Sequence, residues 1–127
     1  MSRKSRGINA ERDLIHKFWA AGWAALRVAG SGSSQYPSPD VLASNNLRKI
    51  AIEVKLTTEK RKYFPAEEIK GLSYFAEKFG AEPWVAIKFF RHEWLFFTLE
   101  DLRETPRGFV VGPEEQKRGL LFEELIA

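Results

Sequence analysis

The chain has 127 residues and a mass of 14.6 kDa, with 44% hydrophobic and 29% charged residues. That is the composition and size of one globular domain and not of a disordered chain. It has no cysteine and two histidines, and its net charge of +3 is split between a basic half, +7 over residues 1–62, and an acidic half, −4 over residues 63–127, so disulfides, thiolate zinc sites and thiol catalysis are excluded and a polyanionic partner suits the first half.

The chain opens with a basic arm, residues 1–7, carrying Arg3, Lys4 and Arg6. A helix is expected over 8–21, where Ile8, Glu11, Ile15, Phe18 and Trp19 fall on one stripe and Gly22 follows as a stop. A short strand at 24–29 leads into a Gly- and Ser-rich loop over 30–39. Two strands follow, 40–43 and 48–57, with Asn45-Asn46 as a tight turn between them. Lys60-Arg61-Lys62 reads as a basic linker. A second helix is expected from Pro65 to about Phe79, with Glu67 and Glu68 suiting its positive N-terminal end and Gly80 ending it. A hairpin, 84–90 and 94–99, a short strand at 109–111 and a helix from Pro113 to about Ile126 complete the chain. This order implies an α/β fold, a mixed sheet flanked by helices in a single domain over 1–127. The apolar stretches fall short of the ~20 residues of a membrane span, and no apolar stretch of signal-peptide type follows the basic start, so a cytoplasmic protein with no membrane partner is expected.

The strand Ile50-Ala51-Ile52-Glu53-Val54-Lys55-Leu56 carries the most information. Side chains alternate across a strand, so Ile50, Ile52, Val54 and Leu56 form a core face and Ala51, Glu53 and Lys55 share the other. A two-residue turn at Asn45-Asn46 would set Ser44 opposite Leu47 and Asp40 opposite Ala51, diagonal to Glu53. A one-residue slip would turn Asp40 to the wrong face. Two carboxylates held together repel, and a divalent cation removes the conflict. Oxygen-only ligation points to Mg²⁺, with Mn²⁺ able to substitute. Lys55 beside the cation can orient or deprotonate an attacking water. An isolated Glu-x-Lys on a strand is usually a surface pair; Pro39-Asp40, thirteen residues before Glu53, favours a site instead. Glu11 lies on the apolar stripe of the first helix, where a carboxylate needs a partner. Arg12 or Arg27 could supply a structural one; a place in the metal site is the sharper reading. Gly30-Ser31-Gly32-Ser33-Ser34 is no Walker motif, because no Gly-Lys-Ser/Thr ending follows.

Pro39-Asp40 with Glu53-Val54-Lys55 matches the PD-(D/E)XK nuclease signature. Together with Glu11-Arg12 and Arg27-Val28-Ala29-Gly30-Ser31, the ordered set resembles the archaeal-type Holliday junction resolvases, the Hjc/Hje family, from about Lys4 to about Leu99. The resemblance implies a restriction-endonuclease-like fold and a homodimeric, Mg²⁺-dependent endonuclease that resolves four-way DNA junctions by paired nicks. It implies that Asp40 and Glu53 hold the metal, that the carbonyl of Val54 assists, and that Glu11 completes the acidic site. Lys55 would act on the water or the developing phosphorane charge. Arg27 and Ser31 would contact the scissile phosphate or a neighbouring strand, and Arg12 would do so less directly. Beside such a site, Arg3, Lys4 and Arg6 with Lys60, Arg61 and Lys62 become the expected grip on the junction arms. The alternatives are a nuclease of the same signature acting on duplex, flap or repair DNA, a binding module without catalysis, and a dimer that binds no nucleic acid. An accessory partner such as a sliding clamp is not legible in the chain.

The second hairpin is apolar on both faces. Val85, Ile87 and Phe89 alternate with Trp84, Ala86 and Phe90, and Trp94 and Phe96 with Leu95 and Phe97. One face would fill the core, and the other calls for cover by a second subunit. The expected dimer surface therefore comprises Trp84, Phe90 and Trp94 with Phe75 and Phe79 of the second helix, a pair whose i, i+4 spacing also suits core packing.

Overall fold

The computed structural model describes residues 2–30 and 35–127. Helix α1 (Arg3–Ala20) leads into β1 (Ala24–Arg27), β2 (Val41–Ser44), β3 (Lys49–Thr57) and β4 (Lys62–Pro65). Helix α2 (Ala66–Phe79) precedes β5 (Glu82–Phe89) and β6 (Trp94–Phe97); β7 (Arg103–Thr105), β8 (Gly108–Val111), α3 (Pro113–Gln116) and α4 (Phe122–Leu125) end the chain. The main sheet has the order β1-β2-β3-β5-β6, parallel only between β3 and β5. This is the mixed sheet flanked by helices that the sequence implies.

The differences from expectation have local causes. Helix α1 begins at Arg3 and not at residue 8, because Ser2 caps it: its side-chain oxygen accepts the Ser5 N–H at 3.1 Å. Arg3, Lys4 and Arg6 therefore stand on a helix and not on a loose arm. The β2–β3 turn spans four residues. Asn45 donates its N–H to the Arg48 carbonyl, its side-chain oxygen accepts from the N–H groups of Leu47 and Arg48, and Asn46 takes φ 81°. Ser44 consequently faces Lys49, and Leu42 faces Ala51. The register differs from expectation by two residues, so every side chain keeps its face.

A second, three-stranded antiparallel sheet in the order β4-β8-β7 takes in Lys62 of the expected linker. Gly108 makes the close approach of β8 to β4 possible: a Cβ there would stand 2.2 Å from the Phe64 carbonyl oxygen. The expected C-terminal helix is two short ones. Gly119 sits where a Cβ would lie 2.9 Å from the Phe97 ring, and Leu120 exchanges both backbone hydrogen bonds with Phe96, at 2.8 Å each.

Both faces of the main sheet are core. On one, Leu14 and Phe18 of α1 and Phe122 and Leu125 of α4 cover Ile50, Ile52, Trp84, Ala86, Trp94 and Phe96. On the other, Ile69, Leu72 and Ala76 of α2 cover Ala51, Val85, Ile87, Phe89 and Phe97. Trp84 and Trp94, expected at a subunit surface, are 8% and 3% exposed in the protomer. Helices on both sides of the five-stranded sheet bury both faces of this hairpin. Trp94→Glu is accordingly expected to unfold the protein, at a cost of at least about 3–5 kcal/mol, by denaturant titration. A folded Trp94→Glu protein of wild-type midpoint would contradict this placement.

Candidate active site

Strand β3 carries Glu53 and Lys55 on the face that α2 covers. Val41 pairs with Ile52, so the next position outward sets Asp40 opposite Glu53. The backbone of Asp40 is fixed on both sides: its carbonyl accepts the Val28 N–H at 2.8 Å and its N–H donates to the Ile52 carbonyl at 2.9 Å. Its side-chain Oδ2 accepts the Val54 N–H at 2.8 Å. Asp40 thus sits at the end of the β2–β3 ladder, and its carboxylate lines one cavity with Glu53, within electrostatic reach of it. The side chain of Val54 belongs to the opposite core, so Val54 reaches the site only through its backbone.

Lys55 Nζ lies 3.6 Å from Glu53 Oε2 and 2.5 Å from Glu68 Oε1 of α2. Asp40, Glu53, Lys55 and Glu68 line a cavity of about 540 Å³ together with Tyr36 and Ser38. Ser38 Oγ is buried with no hydrogen-bond partner among the described residues. The electrostatics report crowded negative charge. Burial, then the hydrogen bond to Glu68 and the charge of Asp40, push Glu53 up to about 10. Burial opposes ionisation of Glu68 as well, but its hydrogen bonds to Glu53 and Lys55 outweigh that and hold it below the ordinary carboxylate value. Burial alone would lower Lys55; its bond to Glu68 and the charge of Glu53 leave it raised.

Glu11 pairs with Arg27 at 3.4 Å. Burial, then the charge of Asp40, raise its pKa against the pull of Arg27, and Lys55 is also within electrostatic reach. Glu11 therefore faces the site with Arg27 as its partner. Among the described residues no group of three or more acidic or histidine side chains is placed to hold a metal. Asp40 and Glu53 line one cavity, and Glu11, paired with Arg27, stands within electrostatic reach of Asp40. The expected role of Ser31, and the reach of Ser33 and Ser34, lie outside the described residues.

The basic residues divide. Lys62 lies within electrostatic reach of the site: burial, then the charge of Lys55, lower its pKa against the pull of Glu68. Arg3 at the start of α1 is exposed. Arg61 runs alongside Gly112, and Lys60 is exposed. Lys4, Arg6 and Arg12 are exposed along α1. His16 and His92 are exposed and outside the site. Phe75 and Phe79 stack at 5.0 Å near the C-terminal end of α2; Phe75 packs against the core, and Phe79, 46% exposed, lies under the Lys49 ammonium. Phe90 is 59% exposed, but its N–H bonds Thr57, the last residue of β3, whereas Lys49 is the first. A nine-residue strand separates them by roughly 26 Å, so Phe90 and Phe79 do not share one patch.

Glu68 is the site residue that sequence reading missed. Its signal, two glutamates opening a helix, is fully accounted for by the helix dipole. Only the packing of α2 over β3 shows which of the two turns inward.

The family model described as archaeal Holliday junction resolvase (Hjc) matches residues 2–127, beyond the Leu99 limit of the resemblance in the sequence. A crossover junction endodeoxyribonuclease Hjc from Archaeoglobus fulgidus is 43% identical over 96% of this chain and 90% of its own length. One from Sulfolobus acidocaldarius is 33% identical over 99% of this chain and 90% of its own. The solved structure of Archaeoglobus fulgidus Hjc, a Holliday junction resolvase, superposes with a TM-score of 0.89 at 42% identity, covering 93% of this chain and 96% of that one.

Proposed function

The chain belongs to the archaeal Holliday junction resolvase family and is a crossover junction endodeoxyribonuclease; from that premise we propose that it resolves four-way DNA junctions by paired, symmetric nicks, with Mg²⁺ held by Asp40 and Glu53. The observation that carries this reading is the pair of carboxylates, Asp40 at the start of β2 and Glu53 on β3, lining one cavity with Lys55. Their donor set fits a hard cation: oxygen ligands only, and a part-buried glutamate whose surroundings disfavour its charge without a cation. The carbonyl of Val54 is a further oxygen donor, and Mn²⁺ is expected to substitute.

Mg²⁺, when bound, supplies Lewis-acid polarisation of the phosphate and a more acidic water. The chain's own groups do the rest. Lys55 donates to the attacking water or to the phosphate oxygen that gains charge. Arg27, held by Glu11, presents its remaining donors to the phosphate backbone. Arg3 and Lys62 extend the positive surface from the site, and Lys4, Arg6, Arg12, Lys60 and Arg61 take phosphates of the junction arms.

The experiment is binding and cleavage of a fixed four-way junction and a duplex of equal length, with and without Mg²⁺. Cleavage of the junction alone, dependent on Mg²⁺, is expected. Affinity should fall steeply with salt, with a slope of log K on log salt of roughly −0.9 per phosphate neutralised. Equal affinity for junction and duplex would contradict shape-directed recognition.

A further inference from the structure

We propose that Glu68 is the positioning residue for Lys55, holding its ammonium at the reaction centre and away from Glu53. The proposal rests on the active-site reading above. Parallel pairing of β3 with β5 makes α2 run back across the sheet, so its first turn lies over the carboxyl-terminal end of β3. Two glutamates stand in that turn. Glu67 is exposed, whereas Glu68 turns inward to within 2.5 Å of Lys55 Nζ. Ile69 and Leu72, buried on the same helix, lock it to the sheet, so the Glu68 carboxylate is carried by a rigid element.

A lysine has four rotatable side-chain bonds, and its placement has to come from a partner. In this site Lys55 has two close carboxylate neighbours, Glu68 at 2.5 Å and Glu53 at 3.6 Å. Without Glu68, the ammonium would settle on Glu53 and compete with the cation for that ligand. With Glu68, one carboxylate aims the lysine and Asp40 and Glu53 remain for the metal.

The test compares Glu68→Gln and Glu68→Asp with wild type in steady-state cleavage of the four-way junction at saturating Mg²⁺. Glu68→Gln should lower kcat by about 10–100-fold while KM and junction affinity stay within about twofold, and Glu68→Asp should recover part of the loss. A second readout needs neither metal nor cutting: the ¹⁵N signal of the Lys55 side-chain ammonium, assigned with Lys55→Gln, should be sharp in wild type and lost to solvent exchange in Glu68→Gln. A wild-type kcat for Glu68→Gln, beside an inactive Asp40→Asn, would overturn the proposal while leaving the site intact. So would an unchanged Lys55 signal, or a raised Mg²⁺ requirement with kcat restored at saturation, which would make Glu68 a cation ligand. If Asp40→Asn itself still cut, the site reading would fail, and the Lys55 signal would still decide what Glu68 holds.

Discussion

Asp40→Asn and Glu53→Gln are each expected to abolish junction cleavage, by roughly three orders of magnitude or more, while junction binding stays near wild type. Asp40 and Glu53 line one cavity, with Lys55 two residues beyond Glu53. The amide replacements keep the shape of each side chain and remove its charge. Burial and its acidic neighbours disfavour the charged form of Glu53, so a neutral amide there costs little stability. Asp40→Asn keeps a side-chain oxygen for the Val54 N–H now bonded to Oδ2. Each variant should therefore fold, keep its basic surface and bind DNA, yet fail to hold the cation. Measurement pairs single-turnover cleavage in Mg²⁺ with a gel-shift on the same junction. Near wild-type cutting by either variant would remove these carboxylates from the metal site.

The second large effect concerns assembly. We propose a homodimer through the C-terminal end of α2, where an exposed Phe79 stacks on Phe75. A single site nicks one strand, whereas a two-fold pair of sites at fixed separation cuts two strands at symmetric positions. Helix α2 carries Glu68 at one end and Phe79 at the other, so an interface on it couples the two active sites through a rigid element. Phe79→Glu is expected to give a monomer by light scattering at micromolar concentration. On a supercoiled plasmid that extrudes a cruciform, wild type should yield linear product and Phe79→Glu nicked circles. Folding should survive, since Phe79 is already half exposed. Phe90→Glu should leave the dimer intact, because Phe90 stands at the opposite end of β3. A wild-type protein that remains a monomer on junction DNA would refute both the interface and the paired-nick mechanism.

The sequence by itself determined what depends on near neighbours in the chain. Alternation along residues 50–56 separated a core face from Glu53 and Lys55, because a strand has period two whatever surrounds it. Asp40 kept its face despite a longer turn than expected, because a shift of two residues preserves that parity. The ordered set from Glu11 to Lys55 identified the family for the same reason: it is a pattern along the chain. Gly80 at φ 79° ended α2 as a local stop signal. Tertiary structure alone decided which faces are covered and which distant groups meet. An apolar hairpin face looks the same whether a helix of its own chain or a second subunit covers it; here α1 and α4 bury Trp84 and Trp94. Pairing of β4 with β8 joins residues more than forty positions apart, beyond any local pattern, and so the small sheet was not foreseen. Glu68 reaches Lys55 only because a parallel crossover brings α2 back over β3, and the same return sets Phe79 beside Lys49. These contacts follow from how elements are stacked, and chain periodicity carries no information about stacking.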